Sequence, residues 1–176
     1  MSGIATKTKK ITSLIKKNNV KVLDTRKTTP NIRFLEKWAV KIGGGENHRM
    51  GLYDVILIKD NHIDYTKEIS DTVNKAIQYS KKVKNLPIIV EVRSIEELRN
   101  ILKFREITRI ILDNFKIPEI KQAVTLINKK TPLEVSGNIN EKNIKEYAKT
   151  GIDYISIGAL THSVKNIDMS LKAEVT

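Results

Sequence analysis

Short apolar segments alternate with longer amphipathic segments along most of the chain. Residues 55–58 and 88–92 are rich in Val and Ile, as strands buried on both faces usually are. Residues 4–17 instead carry apolar side chains at helical spacing. The predicted strands are residues 20–23, 55–58, 88–92, 109–112, 133–135 and 154–157, with a seventh at 167–171. The predicted helices are residues 4–17, 30–42, 66–83, 95–102, 118–129 and 141–149, the second with Thr29 as its N-cap and Pro30 in its first turn.

Repeated βα units of this kind predict a parallel sheet with helices outside it. Polar or glycine residues recur at or just after the predicted strands: Arg26, Lys59, Glu91, Asp113, Ser136 and Gly158. In a barrel these carboxyl ends converge on one mouth, whereas in a doubly wound sheet they spread along a line. A full eight-unit barrel takes about 250 residues, more than the 176 present. The sequence therefore predicts an α/β fold, an incomplete (open) α/β barrel of six to seven parallel strands with outer helices.

Composition narrows the classes of function. Cysteine is absent, no apolar run reaches the roughly 20 residues of a membrane span, and no signal-peptide core precedes residue 20. A cytoplasmic protein without membrane or disulfide chemistry is expected. The net charge of +12 suits nucleic acid, an acidic membrane or acidic small substrates. The few aromatic residues do not interleave with the basic runs, which argues against a stacking platform for single strands.

Two pairs of basic residues lie beside segments of unusual backbone. Arg26 and Lys27 precede Pro30, and the pair His48 and Arg49 follows three consecutive glycines at 43–45. Glycine triplets are expected at a tight turn or where a ligand approaches the backbone closely. A solvated turn and a helix C-cap are the alternatives. Cations at loop ends favour a small, multiply charged anion such as a phosphate or a carboxylate.

A single mouth would bring these groups together into one site. Loops that open into helices hold phosphate through backbone N–H groups, and a carboxylate pair suits Mg²⁺ bound to substrate phosphates. The predicted cations are Arg26, Lys27, His48, Arg49 and Lys59, the carboxylates are Glu91 and Asp113, and the phosphate loops are Ser136-Gly137 and Gly158-Ala159.

Each of these residues also has an ordinary structural explanation. Lys59 could extend to solvent, Asp113 could cap the next turn, and His62 could stabilise a turn. Glu91 interrupts an apolar strand, and a buried carboxylate needs a partner. The histidines lack the spacing of a zinc cluster. Ser136 has no histidine nearby in sequence, so a phosphate-binding hydroxyl is favoured over a nucleophile.

Longer motifs run through nearly the whole chain, in order and at compatible spacing. They are DTRKTTP (24–30), GGGENHR (43–49) with Gly51, Leu52 and Asp54, LIKDNH (57–62), VEV (90–92), LDNF (112–115), LEVSG (133–137) and IGALTHS (157–163). These motifs resemble the quinolinate phosphoribosyltransferase family, also called nicotinate-nucleotide pyrophosphorylase (carboxylating).

The resemblance implies a pentosyltransferase of NAD biosynthesis that converts quinolinate and phosphoribosyl pyrophosphate to nicotinate mononucleotide, pyrophosphate and CO₂. Lys27 would lie between the two substrates. The residues implied to contact the quinolinate carboxylates are Arg26, His48, Arg49 and Lys59. Glu91 and Asp113 would hold the ribose hydroxyls and the Mg²⁺-pyrophosphate. The 5′-phosphate pocket would be Ser136, Gly137, Gly158 and His162. Catalysis itself is expected to involve Lys27, Lys59, Glu91 and Asp113.

Two features depart from the family pattern. The resemblance implies an N-terminal α/β-sandwich domain that gives an arginine to the partner's site in a dimer, and we expect this chain to lack a counterpart of it. Residues 1–19 would then be a lead-in helix and 20–176 the barrel domain. The second departure is Asn138, where the family usually has glycine. Asparagine tolerates left-handed backbone better than most residues, so we expect the loop to form.

We therefore expect a barrel domain that is either a fragment or half of a split enzyme. The expected partners are its two substrates, a second subunit in a homodimer or larger assembly, and a separate sandwich-domain chain. No nucleic acid or membrane is expected. A related phosphoribosyltransferase with another substrate is the alternative within the fold. A non-catalytic basic module that binds nucleic acid or a partner chain is the alternative from another class.

Overall fold

The computed structural model describes residues 1–165 and 168–174. Its strands are β1 (Lys21–Leu23), β2 (Ile56–Ile58), β3 (Ile88–Val92), β4 (Ile107–Asp113), β5 (Leu133–Ser136) and β6 (Tyr154–Ser156). Its helices are α1 (Ser2–Leu14), α2 (Arg33–Ile42), α3 (Asp60–Thr66), α4 (Ile69–Lys82), α5 (Ile95–Ile101), α6 (Ile117–Ile127), α7 (Ile144–Ala148) and α8 (Ala159–His162). In this part of the chain, no helix is both long and apolar enough to cross a bilayer.

All strand pairs are parallel, and the order in the sheet is β1-β6-β5-β4-β3-β2. This is the order around a barrel with a seam between β1 and β2, because the last strand returns beside the first. A doubly wound sheet would instead reverse direction at an internal switch point. The predicted open α/β barrel is therefore confirmed.

One short segment extends the sheet at the seam. Glu46 forms a parallel bridge with Leu23 on the free edge of β1. The Glu46 N–H donates to the Val22 carbonyl at 2.8 Å, and the Asp24 N–H donates to the Glu46 carbonyl at 3.1 Å. The chain between α2 and β2 is therefore fixed to β1 just before His48.

The glycine triplet is explained by packing against α1. A Cβ added to Gly43 would lie 2.5 Å from the Ala5 carbonyl oxygen, and one added to Gly45 would lie 2.9 Å from Cγ2 of Thr8. Gly44 has φ +85°, which favours glycine. The turn predicted for the triplet is confirmed, and so is the alternative of a helix C-cap, because Gly43 ends α2. The close backbone approach that the structure shows is to helix α1.

The helix predictions at 30–42 and 66–83 were wrong at their starts. Helix α2 begins at Arg33 rather than Pro30. The Glu36 carboxylate accepts hydrogen bonds from the Thr29 N–H (3.0 Å) and hydroxyl (2.8 Å), and Asn31 has φ +67°. The helix predicted at 66–83 is preceded by α3, which the sequence analysis missed, and the break falls at residue 67, where φ is +65°.

The remaining differences are small. Helices α1 and α7 are shorter than predicted and β4 begins two residues earlier. Residues 168–171 of the predicted seventh strand form no strand, and Ile167 lies outside the described residues. Asn138 adopts φ +51°, as its tolerance of left-handed backbone predicted. Helix α1 buries Ile4 and Ile11 in the same core as the strands, and the division at residue 19 stays a prediction.

Candidate active site

A cleft of about 690 Å³ opens at the carboxyl ends of the strands. Every residue that the sequence analysis assigned to the site lines it: Arg26, Lys27, His48, Arg49, Lys59, Glu91, Asp113, Ser136, Gly137, Gly158 and His162. His62 does not line it. Its Nδ1 accepts the Lys59 N–H at the start of α3, 2.9 Å away, so His62 stabilises a turn. The structure thus gathers the predicted residues, while their individual roles stay predictions.

Two half-buried arginines stand at the cationic side of the cleft. Burial and the nearby charge of Arg26 both lower the pKa of Arg49 from its ordinary value. The Arg26 Nε is buried and has no hydrogen-bond partner among the described residues. Paired guanidinium groups hold carboxylate and phosphate oxygens well because each presents a planar set of donors. An anion placed here would relieve the repulsion between the two cations.

Lys59 directly follows β2, and its side chain pairs with the carboxylate of Glu91 on the neighbouring strand β3. Its Nζ lies 2.7 Å from Oε2 and 3.0 Å from Oε1. Glu91 therefore has the partner that a buried carboxylate needs, and Lys59 is held within the site rather than extended to solvent.

Asp113 is fixed by the loops after β4 and β5. Its Oδ1 accepts the Ser136 hydroxyl at 2.8 Å, and its Oδ2 accepts the Asn114 side-chain amide at 2.9 Å. The alternative in which Asp113 caps its own turn is therefore not what the structure shows. Gly137 has φ +98°, and a Cβ there would collide with the Asn114 side chain. Asn138 donates to the same side chain at 3.3 Å, so the loop packs closely around Asn114.

The far end of the cleft is formed where β6 leads into α8. A Cβ on Gly158 would lie 3.1 Å from the His162 ring and 3.2 Å from the Lys27 side chain. The Thr161 hydroxyl donates to the Lys27 carbonyl at 2.5 Å. These contacts join the loop after β1 to the loop after β6, although more than a hundred residues separate them in sequence.

His48 does not supply the positive charge that was predicted for it. Burial, together with the charges of Arg109, Lys37 and Arg49, lowers the pKa of His48 to about 4. The ring is therefore neutral at pH 7. The position of His48 in the cleft was predicted correctly. Its charge was not, because a buried imidazole among cations loses its proton and the sequence does not show that burial.

A buried ion pair beneath the cleft was missed from sequence. Lys37 on α2 donates to Asp24, and both side chains are at most 1% exposed. Asp24 also accepts from the Asn47 side chain at 2.5 Å and from the His48 N–H at 2.8 Å, and Lys37 donates to the His48 carbonyl at 3.0 Å. Burial raises the pKa of Asp24 and lowers that of Lys37, while the contact between them opposes both changes. The pair fixes the backbone that leads to Arg49.

Glu134 was also missed, although the signal that marked Glu91 was present. It stands between apolar residues of β5, as Glu91 does in β3. Its side chain is 1% exposed, and the Arg109 guanidinium lies 2.9 Å from it. Burial raises the pKa of Glu134, whereas Arg109 opposes that change.

The fold and the cleft together define an open α/β-barrel protein whose mouth is lined by cationic side chains. The family model "Quinolinate phosphoribosyl transferase, C-terminal domain" matches residues 4–172. The chain therefore belongs to the quinolinate phosphoribosyltransferase family, within the region of the C-terminal domain.

Curated relatives agree with this assignment. The chain is 43% identical over 189 residues to quinolinate phosphoribosyltransferase [decarboxylating] 2, mitochondrial, of Nicotiana glauca, with 99% of this chain and 53% of the relative covered. It is 47% identical over 182 residues to a probable nicotinate-nucleotide pyrophosphorylase [carboxylating] of Methanocaldococcus jannaschii, covering 97% and 62%. The chain thus spans about half to three fifths of the length of these relatives.

Solved structures give the same result. NadC from Streptococcus pyogenes superposes with a TM-score of 0.89 at 41% identity, over 98% of this chain and 60% of that one. The nicotinate-nucleotide pyrophosphorylase from Francisella tularensis superposes with a TM-score of 0.89 at 45% identity, over 96% and 59%. The open barrel is therefore the fold of this family's C-terminal region.

Proposed function

We propose that this chain is the catalytic barrel of a quinolinate phosphoribosyltransferase, which forms nicotinate mononucleotide, pyrophosphate and CO₂ from quinolinate and phosphoribosyl pyrophosphate. The observation that carries the proposal is the convergence of every predicted site residue on one cleft. A cytoplasmic location stays a prediction.

The geometry suggests how the two substrates would be held. Arg26 and Arg49 would bind the diacid carboxylates together with His48 and with Lys59, which Glu91 holds in place. Departure of pyrophosphate leaves positive character on the ribose, which the carboxylates of Glu91 and Asp113 could stabilise. Holding both reactants in one cleft would lower the entropic cost of their encounter. No side-chain nucleophile is required in this scheme.

Magnesium would enter with the pyrophosphate substrate. Within residues 1–165 and 168–174, no group of three or more His, Cys, Asp or Glu side chains is arranged to hold a metal ion. Glu91 is engaged by Lys59, and Asp113 by Ser136. Since Mg²⁺ commonly binds through substrate phosphates and one or two carboxylates, the donor set fits a substrate-borne ion near Glu91 and Asp113 better than a resident one.

The proposal extends to a covering partner, either a second subunit or a sandwich domain. Helix α2 exposes Phe34 (67%), Trp38 (53%) and Ile42 (61%), and the loop before β2 exposes Leu52 and Tyr53 (71% each). Exposed apolar patches of this kind mark interaction surfaces. Sedimentation of the chain, alone and with a separately supplied sandwich domain, tests this. A chain that stays monomeric and does not bind the added sandwich domain would contradict the proposal of a covering partner.

The central experiment measures CO₂ release from carboxyl-labelled quinolinate in the presence of phosphoribosyl pyrophosphate and Mg²⁺, with and without the sandwich domain. Product formation under either condition supports the enzyme. Salt-sensitive DNA binding without quinolinate binding or turnover would contradict it and favour a nucleic-acid module.

A single substitution tests the arginine assignment. Arg49→Ala is expected to weaken quinolinate binding by about 10- to 100-fold, because it removes charge-assisted hydrogen bonds of about 1.5–3 kcal/mol. Arg105→Ala, which removes an exposed arginine outside the cleft, is the matched control. Calorimetric titration measures both. Equal affinity in the wild type and Arg49→Ala would eliminate the proposed role.

A further inference from the structure

The two oxygens of the Glu134 carboxylate have different surroundings. Oε2 accepts a hydrogen bond from Nη1 of Arg109 at 2.9 Å. Arg109 is itself fixed, because its guanidinium stacks 4.0 Å from the centre of the Tyr154 ring. Oε1 is buried and has no partner at hydrogen-bond geometry among the described residues, although the nearby Ser156 hydroxyl, like Arg109, opposes the rise in the pKa of Glu134. A buried carboxylate oxygen without a donor is costly, so a donor is expected beside it.

The His48 ring presents that donor. Its Nδ1 accepts the Arg49 N–H at 2.7 Å, so the hydrogen of the neutral ring is on Nε2. Nε2 lies 3.5 Å from Oε1 of Glu134. Both side chains line the cleft. A small movement of the ring would complete the hydrogen bond.

We propose that Glu134 is a positioning residue: it orients the His48 ring, which in turn holds the backbone of Arg49 where its guanidinium grips the diacid. The inference rests on the proposed function for the identity of the diacid only. Hydrogen bonds join Arg109 to Glu134 and His48 to the Arg49 N–H, and between them Nε2 of His48 lies 3.5 Å from Oε1 of Glu134. His48 is in this arrangement a neutral connector, and Arg49 supplies the charge.

A carboxylate is required at position 134 because donors face it on both sides. Glutamine has one acceptor oxygen and one NH₂ group. If its oxygen accepts from Arg109, its NH₂ meets the Nε2–H of His48, and the reverse orientation places the NH₂ against the guanidinium. Glu134→Gln therefore keeps the volume of the side chain while one of the two contacts is lost.

The first test needs no ligand. The chain has three histidines, which makes the ring N–H signals easy to resolve by ¹H–¹⁵N NMR. In the wild type, the Nε2–H of His48 is expected to exchange slowly with water, and in Glu134→Gln it is expected to exchange fast enough to disappear. His48→Gln assigns the signal. A His48 signal absent from the wild type, or equally protected in Glu134→Gln, would overturn the proposal.

The second test measures binding. Glu134→Gln is expected to weaken quinolinate binding at least about tenfold, or about 1.4 kcal/mol, and to change the affinity for phosphoribosyl pyrophosphate little. If Glu134 acts through His48, His48→Gln weakens quinolinate binding much less in the Glu134→Gln variant than it does in the wild type. Fully additive effects, or equal losses for both substrates, would refute the role. Glu97→Gln, which alters a carboxylate–arginine pair at 2.8 Å outside the cleft, is the matched control.

The two tests separate this inference from the proposed function. A wild type that binds no quinolinate, either alone or with the sandwich domain, while Glu134→Gln still abolishes the His48 protection would reject the function and keep the positioning role. Equal affinity of the wild type and Glu134→Gln for quinolinate would keep the proposed function and reject the positioning role.

Discussion

The buried, neutral His48 makes the stability of the domain depend on pH in a direction that can be stated in advance. Its pKa is about 4 in the folded chain and 6.5 for an ordinary histidine, the value taken for the unfolded chain. As the pH falls below 6.5, the His48 ring becomes protonated in the unfolded state but stays neutral in the folded state. Stability from His48 is therefore fully present above pH 6.5 and is lost between about pH 6.5 and pH 4.

The size of the effect follows from the two pKa values. Since one pKa unit corresponds to about 1.36 kcal/mol, His48 contributes about 3 kcal/mol at neutral pH relative to pH below 4. About 2 kcal/mol of this is lost between pH 7 and pH 5. The side chain is 8% exposed, so solvent screening removes little of it. Burial also raises the pKa of Asp24 and Glu134, whose carboxyl groups change stability with the opposite sign.

Comparison with a variant isolates the histidine from these carboxyl groups. Urea unfolding of the wild type and His48→Gln at pH 7 and pH 5 is expected to show that the wild type loses about 2 kcal/mol more than the variant. Lys41→Met, which alters an exposed residue of α2, is the control and should show the wild-type pH dependence. If the wild type and His48→Gln lose stability in parallel, His48 is not a buried neutral group and the electrostatic description of the cleft is wrong.

Two further substitutions test the supports of the cleft. Lys37→Met leaves the fully buried Asp24 without its cation and is expected to lower the free energy of unfolding in urea by about 3–5 kcal/mol. The control Lys41→Met, on the exposed face of α2, should lower it by less than about 0.5 kcal/mol. Equal losses in the two variants would refute the structural role of the Asp24–Lys37 pair. Gly137→Ala places a Cβ against Asn114 at φ +98° and should weaken binding of phosphoribosyl pyrophosphate and lower stability by at least about 1 kcal/mol. Wild-type stability and affinity in that variant would contradict the observed loop.

The strands and their order were predictable because their signals are local or topological. The continuous run at 88–92 needs burial on both faces, and β3 is buried along its whole length. The similar run at 55–58 gave the strand β2 at the edge of the sheet, where only Ile58 is buried. Polar residues at successive strand ends then favoured a barrel over a doubly wound sheet. The start of α2 was missed because the Glu36 carboxylate binds the N–H and hydroxyl of Thr29, a competition that helix-start signals do not reveal.

The electrostatics of the cleft were less predictable, for a different reason. The charge of His48 depends on burial and on Arg109 and Lys37, which approach it only in the folded chain. Lys37 itself looks like any surface lysine of an amphipathic helix, and only its approach to Asp24 shows that it is buried. Residue type and spacing can therefore locate a site in this fold. The protonation state of its side chains and the buried contacts that hold them in place depend on tertiary structure.

The open seam of the barrel explains how the cationic segment reaches the mouth. In the described part of the chain, β1 and β2 are the edges of the sheet, so β1 has a free edge. Glu46 pairs with that edge, and the next residues, Asn47 and His48, bind Asp24 at its end. A closed barrel would place a strand there and exclude this segment. The incomplete sheet is therefore the feature that lets Arg49 enter the cleft from the side, on a segment fixed by backbone pairing and a buried ion pair.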